Sequence, residues 1–203
     1  MSLDPAAVLA LALRCAPGVA AETLLAVAQA ESGLNPNAIG VNHAAAQSRP
    51  PQPRPAPSRP EAVAVARRLL AAGGNLDLGL AQINSANLAR LGLTLEDAFD
   101  PCRNLAAAGQ VLTEDYGAAR ATTAAPQAAL RAALSLYNTG DPVRGFRNGY
   151  VARVVAAAAG LPAPPLRRAL QPNAARPPAW DAFGDLRAAT FVDSTTSLQG
   201  ATP

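Results

Sequence analysis

Apolar residues recur at offsets of three and four along successive stretches of the chain, and proline, glycine and asparagine fall in the gaps between them. That pattern predicts a string of helices. Residues 5–14 form the first, with Pro5 near its start and Ala16, Pro17 and Gly18 as its turn, and residues 21–33 form the second. Further helices are predicted over 61–72, over 85–91 with Ser85 as cap, over 100–116 with Asp100 as cap and Pro101 at the first position, over 126–137 and over 144–159. Residues 47–60, QSRPPQPRPAPSRP, interrupt the series. Their prolines forbid helix or central strand, so they predict a partly extended loop, either a tolerated surface insertion or a ligand for a peptide-binding partner.

The second helix carries one residue that does not fit its pattern. Leu24, Val27, Ala28 and Glu31 share a face, which draws a carboxylate toward the core. Burial disfavours the charged form and raises the pKa, so such a carboxyl can keep its proton near neutrality and act as a general acid. Gly33 and the Asn35–Pro36 pair end the helix just beyond it, placing Glu31 beside a loop. The bland alternative is a helix-edge carboxylate that reaches solvent.

Half of the 203 residues are hydrophobic, but much of that is alanine, which favours helix and close packing over a sheet rich in valine and aromatics. The expected fold class is therefore all-α, or α with minimal β. The expected organisation is one domain over 1–160, with a Pro/Arg-rich loop at 44–60, and a flexible proline-rich tail over 161–203. Trp180, Phe183, Leu186 and Phe191 form an apolar island in that tail, fit for a docking element or an arm that packs back. The net charge of +3 comes from scattered arginine, with no lysine and no basic cluster interleaved with aromatics, so no nucleic-acid partner is expected. Cys15, Cys102 and the single His43 fit no metal spacing, and no metal or other cofactor is expected. From the residues alone, the two cysteines are either a disulfide or two unrelated thiols. The apolar stretch 3–13 has no basic residue before it and is too short to span a bilayer, so it reads as a helix of the domain and no standard signal peptide is visible.

Three further segments carry polar chemistry in a fixed order: ESGLNPNAIGVN from Glu31, DLGLAQIN from Asp77, and SLYNTG from Ser135 followed by YVARV from Tyr150. Amide side chains offer both donor and acceptor, which sugar hydroxyls and acetamido groups require. Taken together, the segments resemble the lytic transglycosylases with a goose-lysozyme-like fold, most closely those that accompany type IV secretion and conjugation machines. The resemblance covers about residues 6–160, with Ala81 where methionine is common and Leu136 where a small residue is common. It implies a lysozyme-like helical domain in the periplasm of a Gram-negative bacterium, with peptidoglycan glycan strands as substrate and secretion-envelope proteins as partners through the tail. Glu31 is the implied catalytic acid and Tyr137 its companion, with Ser32, Gln82, Asn84 and Asn138 on the sugar. A cysteine stands in each of the two places where the family has one, which implies a Cys15–Cys102 disulfide.

The implied reaction needs a single carboxyl. Glu31 protonates the glycosidic oxygen after N-acetylmuramic acid, then as carboxylate takes the proton of the C6 hydroxyl, which closes on C1 to give a 1,6-anhydro sugar. Two alternatives stand beside it. A muramidase would use water as nucleophile, with Asp77 as second carboxylate, and a non-enzymatic scaffold would bind peptidoglycan and recruit secretion proteins.

Overall fold

In the computed structural model, residues 1–42 and 52–160 are described, so the tail over 161–203 and much of the Pro/Arg-rich loop lie outside the described residues. Helix starts follow the sequence closely. Asp4 accepts from the Ala6 N–H ahead of α1 (Pro5–Cys15), and Asp100 accepts from Cys102 and Arg103 ahead of α4 (Pro101–Arg120). Proline stands in the first turn of both, and of α5 (Pro126–Thr139), where its missing N–H costs nothing. Ser58 and Glu61 form a reciprocal cap on α3 (Arg59–Ala71), so the helix starts at the last two residues of the predicted loop.

α2 (Ala21–Ser32) is the central helix. Ala21 and the run from Thr23 to Ala28 are buried on all sides, because α1, α4 and the last helix of the domain pack around it. Its small side chains let those neighbours approach closely. Gly33 stops it at φ +59, with the Gly33 and Leu34 N–H groups returning to Gln29 and Ala28. The mostly helical class expected from the alanine content is what the structure shows.

One feature supplies the minimal β structure the sequence reading allowed, and two differ from that reading. The residues after α2 and α3 form a small antiparallel sheet in the order β1 (Ile39–Asn42), β2 (Asn75–Leu78), β3 (Ile83–Asn84), with Ile39 opposite Leu78 and Asp77 opposite Asn84. The helix predicted over 85–91 is only a 3-10 turn, Ser85–Asn87. Its cap is Asn84, because the Ser85 hydroxyl is taken by the Leu76 N–H of β2. The helix predicted over 144–159 is two, α6 (Arg144–Arg147) and α7 (Tyr150–Ala159), separated by Gly149 at φ +76. Asn148 accepts from the Tyr150 N–H across the break, and the buried Ser135 hydroxyl accepts from the Gly145 N–H, pulling α6 onto α5.

The cysteines are joined. Cys15 at the end of α1 and Cys102 in the first turn of α4 form a disulfide with 5.5 Å between Cα atoms and a sequence separation of 87.

Candidate active site

Glu31 occupies the last turn of α2, where the helix meets α7 and the sheet. Its carboxyl is enclosed by protein but keeps an edge to a cleft of about 330 Å³, walled by Asp77, Gln82 and Asn84 on the sheet side and by Val111, Tyr137 and Asn138 on the helical side. Loss of water raises its pKa from 4.5 to about 7; the Tyr150 phenol lowers it, the Asp77 charge raises it and Arg153 lowers it. At neutral pH the carboxyl is therefore poised between its two forms, which suits a group that must give up a proton and then take one back.

Tyr150 was not among the residues singled out for the site, and it is the phenol that faces the acid. It is 1% exposed, at the first position of α7, and among the described residues its hydroxyl meets no group in ordinary hydrogen-bond geometry. Its influence on Glu31 is smaller than that of burial, so it moderates the desolvation without cancelling it. Tyr150→Phe removes the contact that favours the carboxylate. The pKa of Glu31 should rise by about half a unit to one unit, read by carbon-13 NMR of the Glu31 carboxyl, and a fall would contradict this placement.

Tyr137 lines the cleft, but its hydroxyl is committed, donating to the Ala81 carbonyl at 2.8 Å. Burial, followed by the nearby charges of Glu31, Asp115 and Asp77, holds its pKa well above the ordinary tyrosine value, so it remains a neutral phenol. Asp115 on α4 is raised to about 6 by burial and by Glu114, and its Oδ2 finds no hydrogen-bond partner among the described residues.

The other predicted residues divide. Gln82 lines the cleft in a left-handed conformation, φ +51, with its amide nitrogen donating to Gly79 and Ala38 carbonyls. Its Oε1 lies only 2.9 Å from where a Cβ on residue 40 would be, so a side chain at Gly40 would press on the Gln82 amide. Asn84 lines the cleft too, but both its amide protons are spent, on Asn75 and on Asp77, each at 2.8 Å. It holds the cleft wall in place. Asn138 faces the cleft and accepts from Asn148. Ser32 does not line it: its hydroxyl donates to Leu80 at 2.7 Å and accepts from the Asn35 N–H, so it fastens the end of α2 to the β2–β3 turn. Asn42 and Asn87 also wall the cleft, and sequence reasoning assigned neither.

A family model described as "Transglycosylase SLT domain" matches residues 9–152, and so takes in Glu31, the cleft and all seven helices in whole or part. The chain belongs to the SLT transglycosylase family. Within this SLT family its relatives include the type IV secretion system protein virB1 of Brucella suis biovar 1 (strain 1330), 42% identical over 158 residues that make up 74% of this chain and 63% of the relative. Protein virB1 of Agrobacterium tumefaciens (strain 15955) is 42% identical over 150 residues, 74% of this chain and 60% of the relative. Protein virB1 of Agrobacterium fabrum (strain C58 / ATCC 33970) is 39% identical over 176 residues, 85% of this chain and 69% of the relative. The SLT chain thus spans under two thirds of the length of the first two. No solved structure matches it. Among the described residues no group of three His, Cys, Asp or Glu is placed to hold a metal ion, and no helix is long and apolar enough to cross a membrane.

Proposed function

We propose that this chain is a lytic transglycosylase that cuts peptidoglycan glycan strands in the periplasm, opening the wall locally for a type IV secretion or conjugation apparatus. The observation that carries the reading is Glu31, a carboxyl with its pKa near 7 at the edge of an amide-lined cleft. Glu31 protonates the oxygen of the bond between N-acetylmuramic acid and N-acetylglucosamine. The carboxylate left behind then accepts the C6 hydroxyl proton as that oxygen closes on C1. Because the nucleophile belongs to the substrate, its effective concentration is high and no second carboxylate is needed to hold water. Gln82 and Asn138 contribute the amide oxygens and protons not used within the protein, and Tyr137 forms an apolar wall with a fixed phenol.

A muramidase reading has its own observation, since Asp77 faces the same cleft and its charge acts on Glu31. In that reading Asp77 would hold water, although one of its oxygens already accepts from Asn84. Mass spectrometry of digested peptidoglycan separates the two. We expect 1,6-anhydro ends, whereas reducing ends would establish hydrolysis. The same digestion with a chain ending at Gly160 should proceed at nearly the full-length rate, because in this reading the tail and its Trp180 island serve partner proteins of the secretion apparatus rather than the cleft. Loss of cleavage in the shortened chain would place the tail in the catalytic unit.

A further inference from the structure

The β2–β3 turn, Gly79 to Gln82, is the point where two separate parts of the site are fastened. Leu80 offers its carbonyl to the Ser32 hydroxyl, and Ala81 offers its carbonyl to the Tyr137 hydroxyl. Ser32 is the residue after Glu31, and Tyr137 is a neighbour whose own pKa registers the Glu31 charge. Two successive carbonyls of one turn thus hold the end of α2 and the aromatic wall that flanks the acid.

What aims those carbonyls is a single side chain. Asn104, in the first turn of α4 and fully buried, accepts from the Ala81 N–H at 2.8 Å, and its amide nitrogen donates to the Leu78 carbonyl at 2.9 Å and to the Ala98 carbonyl at 2.8 Å. Both its amide protons are used, and it brackets the turn from both ends. Contact there is so close that a Cβ on Gly79, which sits at φ +77, would lie 2.2 Å from the Ala98 oxygen and 2.5 Å from the Asn104 nitrogen. The clamp is therefore a close three-way junction of α4, the turn and the 3-10 segment Asp97–Phe99.

We propose that Asn104 is a positioning residue of the active site, which keeps the Glu31 carboxyl enclosed by holding the β2–β3 turn against both the end of α2 and Tyr137. Asn104 does not line the cleft and acts only through the turn. The inference rests on the reading of Glu31 as proton donor. The groups facing Glu31 are Tyr150 and Arg153 from α7, Asp77 from β2 and Tyr137 from α5, with Asp115 of α4 acting on Tyr137. Replacing Asn104 removes none of these charged or phenolic groups. Freed from its clamp, the turn lets water reach the carboxyl, and the raised pKa falls back toward the ordinary value.

The test is Asn104→Ala, with Asn104→Ser as the milder variant, in the full chain. We expect the alkaline limb of kcat/KM to move down by about one pH unit. If Glu31 titrates at about 7 in the native protein, its protonated fraction at pH 7 then falls from about a half to about one in eleven, an activity loss of about fivefold that nearly disappears at about pH 5. General loosening of the fold would lower activity equally at every pH. Carbon-13 NMR of the Glu31 carboxyl reads the same shift without any turnover, so an inactive native protein would end the proposed function while leaving this inference testable. An unmoved Glu31 titration in a folded variant would overturn it. So would failure of both variants to fold, which would leave Asn104 with a folding role alone.

Discussion

Glu31→Gln is expected to lower glycan cleavage by roughly 10²- to 10⁴-fold, the range that a positioned proton donor contributes, and at the same time to stabilise the protein above neutral pH. The loss of activity follows because glutamine keeps the shape of the side chain but can neither give nor take the proton. The gain in stability follows from the direction of the pKa shift. The folded protein holds the Glu31 proton more tightly than the unfolded chain does, with a pKa of about 7 against 4.5. The favourable contribution of the neutral carboxyl is thus full below about 4.5 and is lost as pH rises through 7. Beyond that point wild type carries an ionised, partly desolvated carboxylate, at a cost on the order of 3 kcal/mol. The glutamine variant has no such titration. Urea melts at about pH 5 and about pH 8 should therefore show the advantage of the variant growing with pH. An advantage that is the same at both values would mean that Glu31 titrates normally, and unchanged turnover would remove it from the chemistry.

Reduction of the Cys15–Cys102 bond is expected to destabilise the domain by about 4 kcal/mol, within the usual range for a native disulfide. The bridge spans 87 residues of sequence, so the loop-closure entropy it removes from the unfolded chain is near the upper end of that range. The packing it secures is specific. Gly109 of α4 lies so close to the α1–α2 turn that a Cβ there would be 3.0 Å from Ala16, and the bridge fixes this approach one residue away, at Cys15. For a domain of this size the loss corresponds to a fall in Tm of about 8 to 16 °C. Thermal melts with and without a reductant measure it, with thiol titration of the denatured, unreduced protein as control. Two free thiols in that control would refute the bridge, and a shift of only a degree or two would show that its loop is already constrained when unfolded.

The helices could be read because their ends are written locally. Asp4–Pro5, Asp100–Pro101, Pro126 and Gly33 each act through groups within one turn. The strands could not, being two to four residues long and paired with segments far along the chain. Ser85 illustrates the difficulty: it has the right chemistry for a cap, yet a backbone N–H from β2 claims its hydroxyl first. The apolar period of residues 144–159 continues through Gly149, which conceals the break that brings Tyr150 onto the acid. Glu31 was legible because a carboxylate on an apolar face is a local anomaly. The roles of Ser32 and Asn84 depend on which tertiary partners their hydrogen-bonding groups meet, and for both those partners are protein.

Gln52 adds a last point. Its side-chain amide accepts from the Val41 N–H and donates to the Val41 carbonyl, standing in for a neighbouring strand along the open edge of β1. The chain is thereby stitched shut on either side of residues 43–51, immediately beyond Asn42 at the rim of the cleft. Adding residues between two ends held together in this way costs little, about 0.6 kcal/mol for each doubling of the closed length. The site is a natural splice point, where an epitope or a fluorescent reporter can be inserted beside the cleft with the wall of the cleft still anchored by its own strand.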